Sequence, residues 1–540
     1  MKLEDKIKNL LLEILSNLNI EANINDIEVV STKDKQHGDL TSNVALKFSK
    51  KSGKNPRDFA NSIISSLNCD EISKVEIAGP GFINIFLKQD ALSDVIDKVL
   101  KEGSNFGQQE EKDIVYNIEY VSANPTGDLH LGHARGAALG DSLSRIFKKA
   151  GYKVIREFYV NDAGAQVTNL AKSLKSRYLE LFNISYPIPE DGYLGEDVKE
   201  IAKLIKEEYG DKYKKTSDEE DIQFFKEYGI EKELEKLKKD LKEFRVEFDK
   251  YSFETKIREN NSVEHLIEKM KDYVYVSDGA TFLKTSDFLD DKDRPIIKSN
   301  GDYTYFLPDI VYHLDKLSRN ADFLIDILGA DHHGYINRMK SALMMNGYSK
   351  DALEVELIQM VRLIKNGEEV KMSKRLGNAI KMRDLVNTVG VDACRYFFVN
   401  RAASQHLDFD LDIALASNSS NPVYYSQYAF ARISSLLLNS KIELNNKYDL
   451  LINDNELELM KILNNYDKII VDAFNERAPY KICNYLYNFA SKIHEYYSKV
   501  RILDENNKEL SGARLTLLKA CSIVLKDALS LIGVNAPEKM

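Results

Sequence analysis

His130-Leu131-Gly132-His133 sets two imidazoles one helical turn apart, directly after the strand-like run DIVYNIEYV (113–121) and the turn-rich stretch SANPTGDL (122–129). A helix starting here turns unpaired backbone N–H groups and the positive end of its dipole toward whatever lies before it, which favours an anion. Two such imidazoles can donate to a phosphate. The plain alternative is a pair of satisfied surface or core histidines, because HxGH is short enough to recur by chance. Gly132, Gly136 and Gly140 repeat every fourth residue, so one face of the helix is bare and either packs closely on a sheet or admits a nucleotide base. A second pattern, Lys371-Met372-Ser373-Lys374, follows about 240 residues later, after Asn366-Gly367, which predicts a tight hairpin turn. Lysines on a loop suit a phosphoryl group whose charge spreads over its oxygens as a bond breaks. Alone, these four residues read as a solvated charge run. No GxxxxGK[ST] occurs in the chain, so ATP, if bound, is not held by a P-loop.

The elements that must position these residues are legible as far as their type. The strand at 113–121, the turn and a helix ending near Gly151 make one βα unit of a parallel sheet. FLIDILGADHHGY (323–335) supplies a second buried strand that ends in polar residues. Before them, residues 2–18 carry Leu and Ile at three- and four-residue spacing, an amphipathic helix opening a small α/β unit. That unit closes near VEIAGPGFINIFL (75–87). Between 196 and 247, Lys, Glu and Asp fill helical registers, which predicts solvated helices inserted into the sheet domain. After about 415 the text is wholly helical and rich in Tyr and Phe. The expected fold is therefore α/β: a small N-terminal α/β domain over 1–105, a Rossmann-like parallel-sheet domain over 106–400 with a charged helical insertion at about 190–270, and an all-α helical bundle over 401–540.

Composition narrows the function classes. A chain of 540 residues exceeds a single core, and 43% hydrophobic with 30% charged residues excludes wholesale disorder. The four cysteines form no CxxC pair, so neither a disulfide framework nor a thiolate zinc site is encoded. His332-His333 lacks a third ligand at usable spacing, and no protein-bound metal is expected. The charged N-terminus and the absence of an 18-residue apolar run predict a cytoplasmic protein with no membrane partner. A net charge of −10 seems to exclude nucleic acid, yet residues 1–90 hold 12 basic against 13 acidic side chains and residues 415–540 hold 15 against 14. The acidic excess sits in the middle, which leaves both ends free to bind RNA.

Together, SANPTGDLHLGHARGAALGDSLSRIFKKAGY, EFYVNDAGAQV (157–167), GADHHGY (329–335) and VKMSKRLGN (370–378) resemble the class I aminoacyl-tRNA synthetases, and among them the arginyl family. The resemblance extends to HGDLTSNVAL (37–46) and KNPRDFA (54–60) at the front and to NPVYYSQYAFAR (421–432) and APEKM (536–540) at the back. Three departures stand out: Tyr251 where the family has Trp, Asp392-Ala393-Cys394-Arg395 at the DALR-type signature, and Arg375 where the class consensus has Ser.

The resemblance implies ATP-dependent attachment of L-arginine to tRNA(Arg) through an arginyl-adenylate, with Mg2+ accompanying the ATP. The class signatures would make His130, His133, Lys371 and Lys374 the catalytic clamp on the phosphates. ATP would also meet Gly132, Gly136, Asp331, His332, Met372 and Ser373. Asp309 and Tyr305 would grip the guanidinium, which offers five fixed donors and stays protonated. Glu119, Ser122, Asn124 and His333 would complete the arginine site. Asn43, Gln427, Tyr428 and Arg432 would meet tRNA, with Tyr424 or Tyr425 buried; tyrosines here can be bundle core or stacking platforms for bases. Read without the family, Tyr305 is a core aromatic, Asp309 a helix cap after Pro308, and Glu119 an outward strand residue. Like the glutamyl and glutaminyl enzymes, the arginyl family needs tRNA before it activates its amino acid. A monomer is expected. Two other functions remain open at this point: a class I synthetase for another amino acid, and a non-catalytic tRNA-binding paralogue.

Overall fold

The computed structural model describes residues 3–32, 35–214, 219–259, 262–370 and 380–540. Two compact units emerge: residues 1–106, 436–465 and 492–524 form one, and 107–435, 466–491 and 525–540 form the other. The helical tail expected as one bundle thus divides its residues between them.

In the second unit, Leu353–Ile358, Phe323–Gly329, Val115–Glu119, Lys153–Val160 and Lys250–Phe253 lie side by side in that order. All four pairings are parallel. Val115–Glu119 is almost wholly buried, as expected for a parallel strand covered on both faces. The chain leaves it toward Lys153–Val160 on one side and later returns to its other side with Phe323–Gly329. The carboxyl end of Val115–Glu119 is therefore a topological switch point, where open α/β sheets bind ligands.

The helix Leu131–Lys149 covers this strand and is buried over most of its length. At Gly136 and Gly140 its glycine stripe serves packing, the first of the two uses left open by the sequence, while Gly132 is exposed. A Cβ on Gly140 would lie 2.2 Å from the ring of Tyr120, and one on Gly136 would lie 3.3 Å from Cδ1 of Ile358. Gly136 is buried, so its expected place beside ATP gives way to Ile358. Gly140→Ala is expected to destabilise the protein by about 1–3 kcal/mol through overpacking, read as an earlier thermal transition; an unchanged transition would contradict the close contact.

The charged insertion is less solvated than its composition suggests. Glu196–Tyr209 and Glu219–Glu243 pack on the helix Ala165–Glu180 through a cluster that includes Leu170, Leu174, Tyr178, Ile201, Ile205 and Phe225. Glu233, Asp240 and Lys175 are buried with it. Lysine and glutamate periodicity hid the narrow apolar stripe beneath.

The other unit has the antiparallel strand order Val30–Ser31, Leu40–Ser42, Phe82–Leu87, Ile72–Ala78. Ile7, Leu11, Leu15, Val44, Phe48 and Phe59 lie in its core. Among the described residues no helix is long and apolar enough to cross a membrane.

Candidate functional site

His130 caps the helix Leu131–Lys149. Its Nδ1 accepts from the backbone N–H of Gly132 at 3.1 Å and of His133 at 3.4 Å, while the N–H of His130 donates to Nδ1 of His133 at 3.4 Å. The rings stack with centroids 3.7 Å apart. Because each Nδ1 accepts, each neutral ring carries its proton on Nε2, leaving one outward N–H per histidine. Burial lowers the pKa of His130, and burial together with His130 pushes His133 down to about 3. Both are neutral donors at physiological pH. The positive charge of the clamp must come from elsewhere.

Lys371, Met372, Ser373 and Lys374 lie outside the described residues. What flanks them is informative. Asn366 and Gly367 both have positive φ, 52° and 76°, as the predicted hairpin turn demands. On the far side Lys381 pairs with His130 in an antiparallel bridge, and the N–H of Met382 donates to the carbonyl of Leu129 at 2.7 Å. Lys381 also forms an ion pair with Asp128, and Lys236 of the insertion meets the same carboxylate at 2.5 Å. The chain thus re-emerges against the HLGH turn, with the insertion braced on it.

Asp326, Glu119 and Glu157 stand opposite one another in register across three neighbouring strands. Such a row of carboxylates repels itself, and the helix Phe306–Ser318 answers it. Arg319 donates to both oxygens of Glu157 at 2.8 and 3.0 Å. Lys316, fully buried, donates to Asp326 Oδ1 at 2.9 Å and to Glu119 Oε2. Ser122 Oγ donates to Glu119 Oε1 at 2.8 Å. Ser122 is placed by a tight turn in which its N–H donates to the carbonyl of Tyr120 at 3.0 Å, with Val121 and Ser122 at φ 70° and 41°. That backbone is costly for a β-branched residue, about 1–3 kcal/mol, and is a mark of functional sites. Glu119 is therefore held inward; the reading as an outward strand residue falls.

His313 lies between two acceptors: Nε2 is 2.7 Å from Asp326 Oδ2 and Nδ1 is 2.7 Å from the backbone oxygen of Asp309. Both ring nitrogens must then carry protons. Burial opposes this charge, but Asp326 raises the His313 pKa, while Lys316 and His313 hold Asp326 far below the usual range against its own burial. Among the described residues Asp309 has no cation of its own, only the Tyr335 hydroxyl beside it. Its carboxyl is pushed up to about 6, first by burial and then by Glu119 and Asp326, with His313 and Lys316 pulling the other way. Setting aside the Glu157–Arg319 pair, Glu119, Asp309 and Asp326 give three negative charges against two on Lys316 and His313. Among the described residues the site is short by one cation, at Asp309.

The other expected arginine and ATP residues take clear positions. Tyr305 is 81% exposed, so it is no core aromatic. It occupies the N-cap of Phe306–Ser318 with no side-chain cap bond, and Asp309 lies inside the first turn rather than at the cap. Nδ2 of Asn124 donates to Oε1 of Gln166 at 2.5 Å. Asp331, His332 and His333 are exposed just beyond Phe323–Gly329, with His332 Nε2 3.6 Å from Asp331 Oδ2. Sequence reasoning missed Gln166, His313, Lys316 and Asp326. Their signals were present: Gln166 lies within EFYVNDAGAQV, Asp326 interrupts an apolar strand, and 309, 313 and 316 recur on one helix face.

Of the residues expected to meet tRNA, Gln427 is a correction. It is 7% exposed, and its Nε2 donates to Asp392 Oδ2 and to the carbonyl of Asn535, both at 2.9 Å; it is a structural tie. Arg395 of the same signature is fully buried and donates to the carbonyls of Ile532 and Phe244 and to Asp141. Tyr428 is 39% exposed and stacks on Tyr424 at 5.9 Å. Tyr424, Tyr425 and Arg432 are half-buried. In the N-terminal unit, half-buried Asn43 donates to Glu28 Oε2 at 2.7 Å.

Three family models match the chain: the arginyl tRNA synthetase N terminal domain over residues 3–87, the catalytic domain of tRNA synthetases class I (R) over 95–401, and the DALR anticodon binding domain over 426–540. The arginine–tRNA ligase of Bacillus subtilis (strain 168) is 47% identical over 533 residues, covering 96% of this chain and 95% of that one. That of Listeria monocytogenes serotype 4b (strain CLIP80459) is 48% identical over 530 residues, covering 96% and 95%. The solved Thermus thermophilus arginyl-tRNA synthetase shares the fold at 19% identity with a TM-score of 0.77, both chains being covered completely. A synthetase for another amino acid and a non-catalytic paralogue are not favoured by these matches. With models of this family spanning all three regions and relatives near half-identical from end to end, the chain belongs to the arginyl-tRNA synthetases.

Proposed function

We propose that this chain attaches L-arginine to tRNA(Arg) through an arginyl-adenylate, acting as a monomer in the cytoplasm. The observation that carries the reading is the missing positive charge at Asp309, half-buried beside Glu119, Asp326, Lys316 and His313 at the mouth of the switch-point strand. A guanidinium supplies one delocalised charge and several donors to such a site.

In the first step the α-carboxylate of arginine attacks the α-phosphorus of ATP. The new C–O–P linkage forms as the bond to the bridging oxygen breaks, and pyrophosphate leaves with the electron pair. No proton moves, so no general base is needed. Charge builds on phosphate oxygens, where Nε2–H of His130 and His133 donate and Lys371 and Lys374 add positive charge. In the second step a terminal ribose hydroxyl of tRNA attacks the adenylate carbonyl, its proton is lost and AMP departs. Mg2+ comes with the nucleotide. Among the described residues no group of three or more His, Cys, Asp or Glu side chains can hold a metal ion, and the imidazole N–H groups facing the phosphates are donors rather than ligands. Asn124 with Gln166, and Asp331 to His333, are the polar groups left for the substrate's amino and carboxylate groups and for the ribose. Tyr428 and Arg432 in the tail and Asn43 at the front meet tRNA.

Incubation with tRNA, ATP and all twenty amino acids, followed by mass analysis of the tRNA, tests the assignment. The expected product carries arginine alone; any other aminoacyl mass would overturn it. A second outcome concerns coupling. RNA-free protein is expected to show negligible arginine-dependent ATP–pyrophosphate exchange, with activity restored by cognate tRNA, because remote binding energy from the RNA would be spent on completing the site. Robust exchange without RNA would remove the coupling and leave the ligase. Truncating the tail cannot serve as this test: Ile532, Asn535 and Asp527 bond to Arg395, Gln427 and Lys149 of the sheet unit.

A further inference from the structure

A groove of about 550 Å³ lies in the sheet-bearing unit and has no part in the site described above. Its walls come from the helix Val391–Val399 and the turn after it, from Pro422, and from the first two turns of Tyr480–Lys499. Three features stand out in it, of which the exposed ring and the arginine suit a planar, negatively charged occupant. Tyr487 stands 46% exposed in its wall, ring to ring with Tyr425 at 5.6 Å. Oδ1 of Asn400 is sealed from solvent with no hydrogen-bond partner. Arg401 is exposed beside it.

The fourth feature lies under the rim. Arg135 is fully buried, and its guanidinium donates only to backbone carbonyls: Gln359 at 2.8 Å, and Ala402 and Gln405, both of the groove, at 2.9 Å. Among the described residues no carboxylate pairs with it, and burial pushes it down to about 10. A chain of net charge −10 thus keeps an uncompensated cation beneath this rim and a second one on it, a local field that draws anions. Arginine beside an accessible aromatic ring is the chemistry that holds a nucleotide of single-stranded RNA, phosphate on the cation and base on the ring. The groove is an open furrow rather than an enclosed cavity, which suits a polymer laid across it better than a free nucleotide.

We propose that this groove takes one unpaired nucleotide of the tRNA, its base on Tyr487 and its phosphate on Arg401; the proposal rests on the tRNA-charging function above. In the full chain, Tyr487→Ala and Arg401→Gln are each expected to raise the KM for cognate tRNA about tenfold, with kcat and the KM for arginine moving less than about twofold. Arg401→Gln should also lower the slope of log tRNA affinity against log salt by about one. Asn484→Asp sets a carboxylate in the groove with little change of shape and should shift the tRNA KM in the same direction. Unchanged tRNA KM in all three variants overturns the proposal. A wild-type chain that charges no tRNA overturns the function and the groove together, whereas one that charges tRNA normally, with variants indistinguishable from it, overturns the groove alone.

Discussion

Replacing Asp309 by Asn is expected to cost arginine binding roughly 2–5 kcal/mol, about 30- to several-thousand-fold in affinity, while ATP binding stays unchanged. Shape is kept and one charge is lost, the charge that the cluster around Lys316 and His313 leaves uncompensated. Calorimetry with ATP as the control measures it; unaltered arginine affinity would place the guanidinium elsewhere. The same carboxyl predicts a pH dependence. Because burial raises Asp309 to about 6, the empty site holds a proton there below that value, and a cation must displace it. Arginine affinity should therefore be flat above about pH 7 and fall about tenfold per unit below pH 6, as bound guanidinium pulls the carboxyl back to its charged form. Asp309→Asn should remove that acid limb along with the affinity. A wild-type dissociation constant independent of pH between about 5 and 8 would show that Asp309 does not face the ligand.

His133→Ala and Lys374→Ala are each expected to slow adenylate formation by about 10²–10³-fold, the effect of one lost donor to developing charge. Arginine affinity should change little, because such contacts strengthen as charge builds on the phosphate rather than in the ground state. The structure adds a qualification for the histidine. His133 also accepts the N–H of His130, so part of its loss is a loosened helix start. With His133 neutral down to about 3, the rate should show no limb from His133 between about pH 5 and 8. Near-normal turnover in both variants would make the HxGH and KMSK patterns coincidental. A rate that falls with His133 protonation near neutrality would return the imidazole to solvent, against the burial seen here.

Local sequence carried the strand, turn and helix around His130, the tight turn at Asn366-Gly367 and the helical tail, because strand and helix periodicity, glycine and caps act over a few residues. It also carried the site through motif text: Glu119, Ser122, Asn124, His130 and His133 fall within one short stretch, and the structure gathers them at one strand end. Only the tertiary structure joined Lys316 to Glu119 and Asp326, since that joining depends on which strands lie side by side. Register alone sets Asp326, Glu119 and Glu157 in one row, and once they are there the helix Phe306–Ser318 must bring Lys316 and Arg319 to them. Gln427 shows the converse. Its position beside Tyr428 in an amphipathic stretch read as an RNA-facing surface, but burial is decided by what packs opposite, and there the chain's own Asp392 and Asn535 take its amide. Residue type and spacing thus determined the chemistry this protein has to work with; long-range pairing of strands and buried charges decided which of those groups stand free for a substrate, because desolvated charge must be balanced by partners distant in sequence.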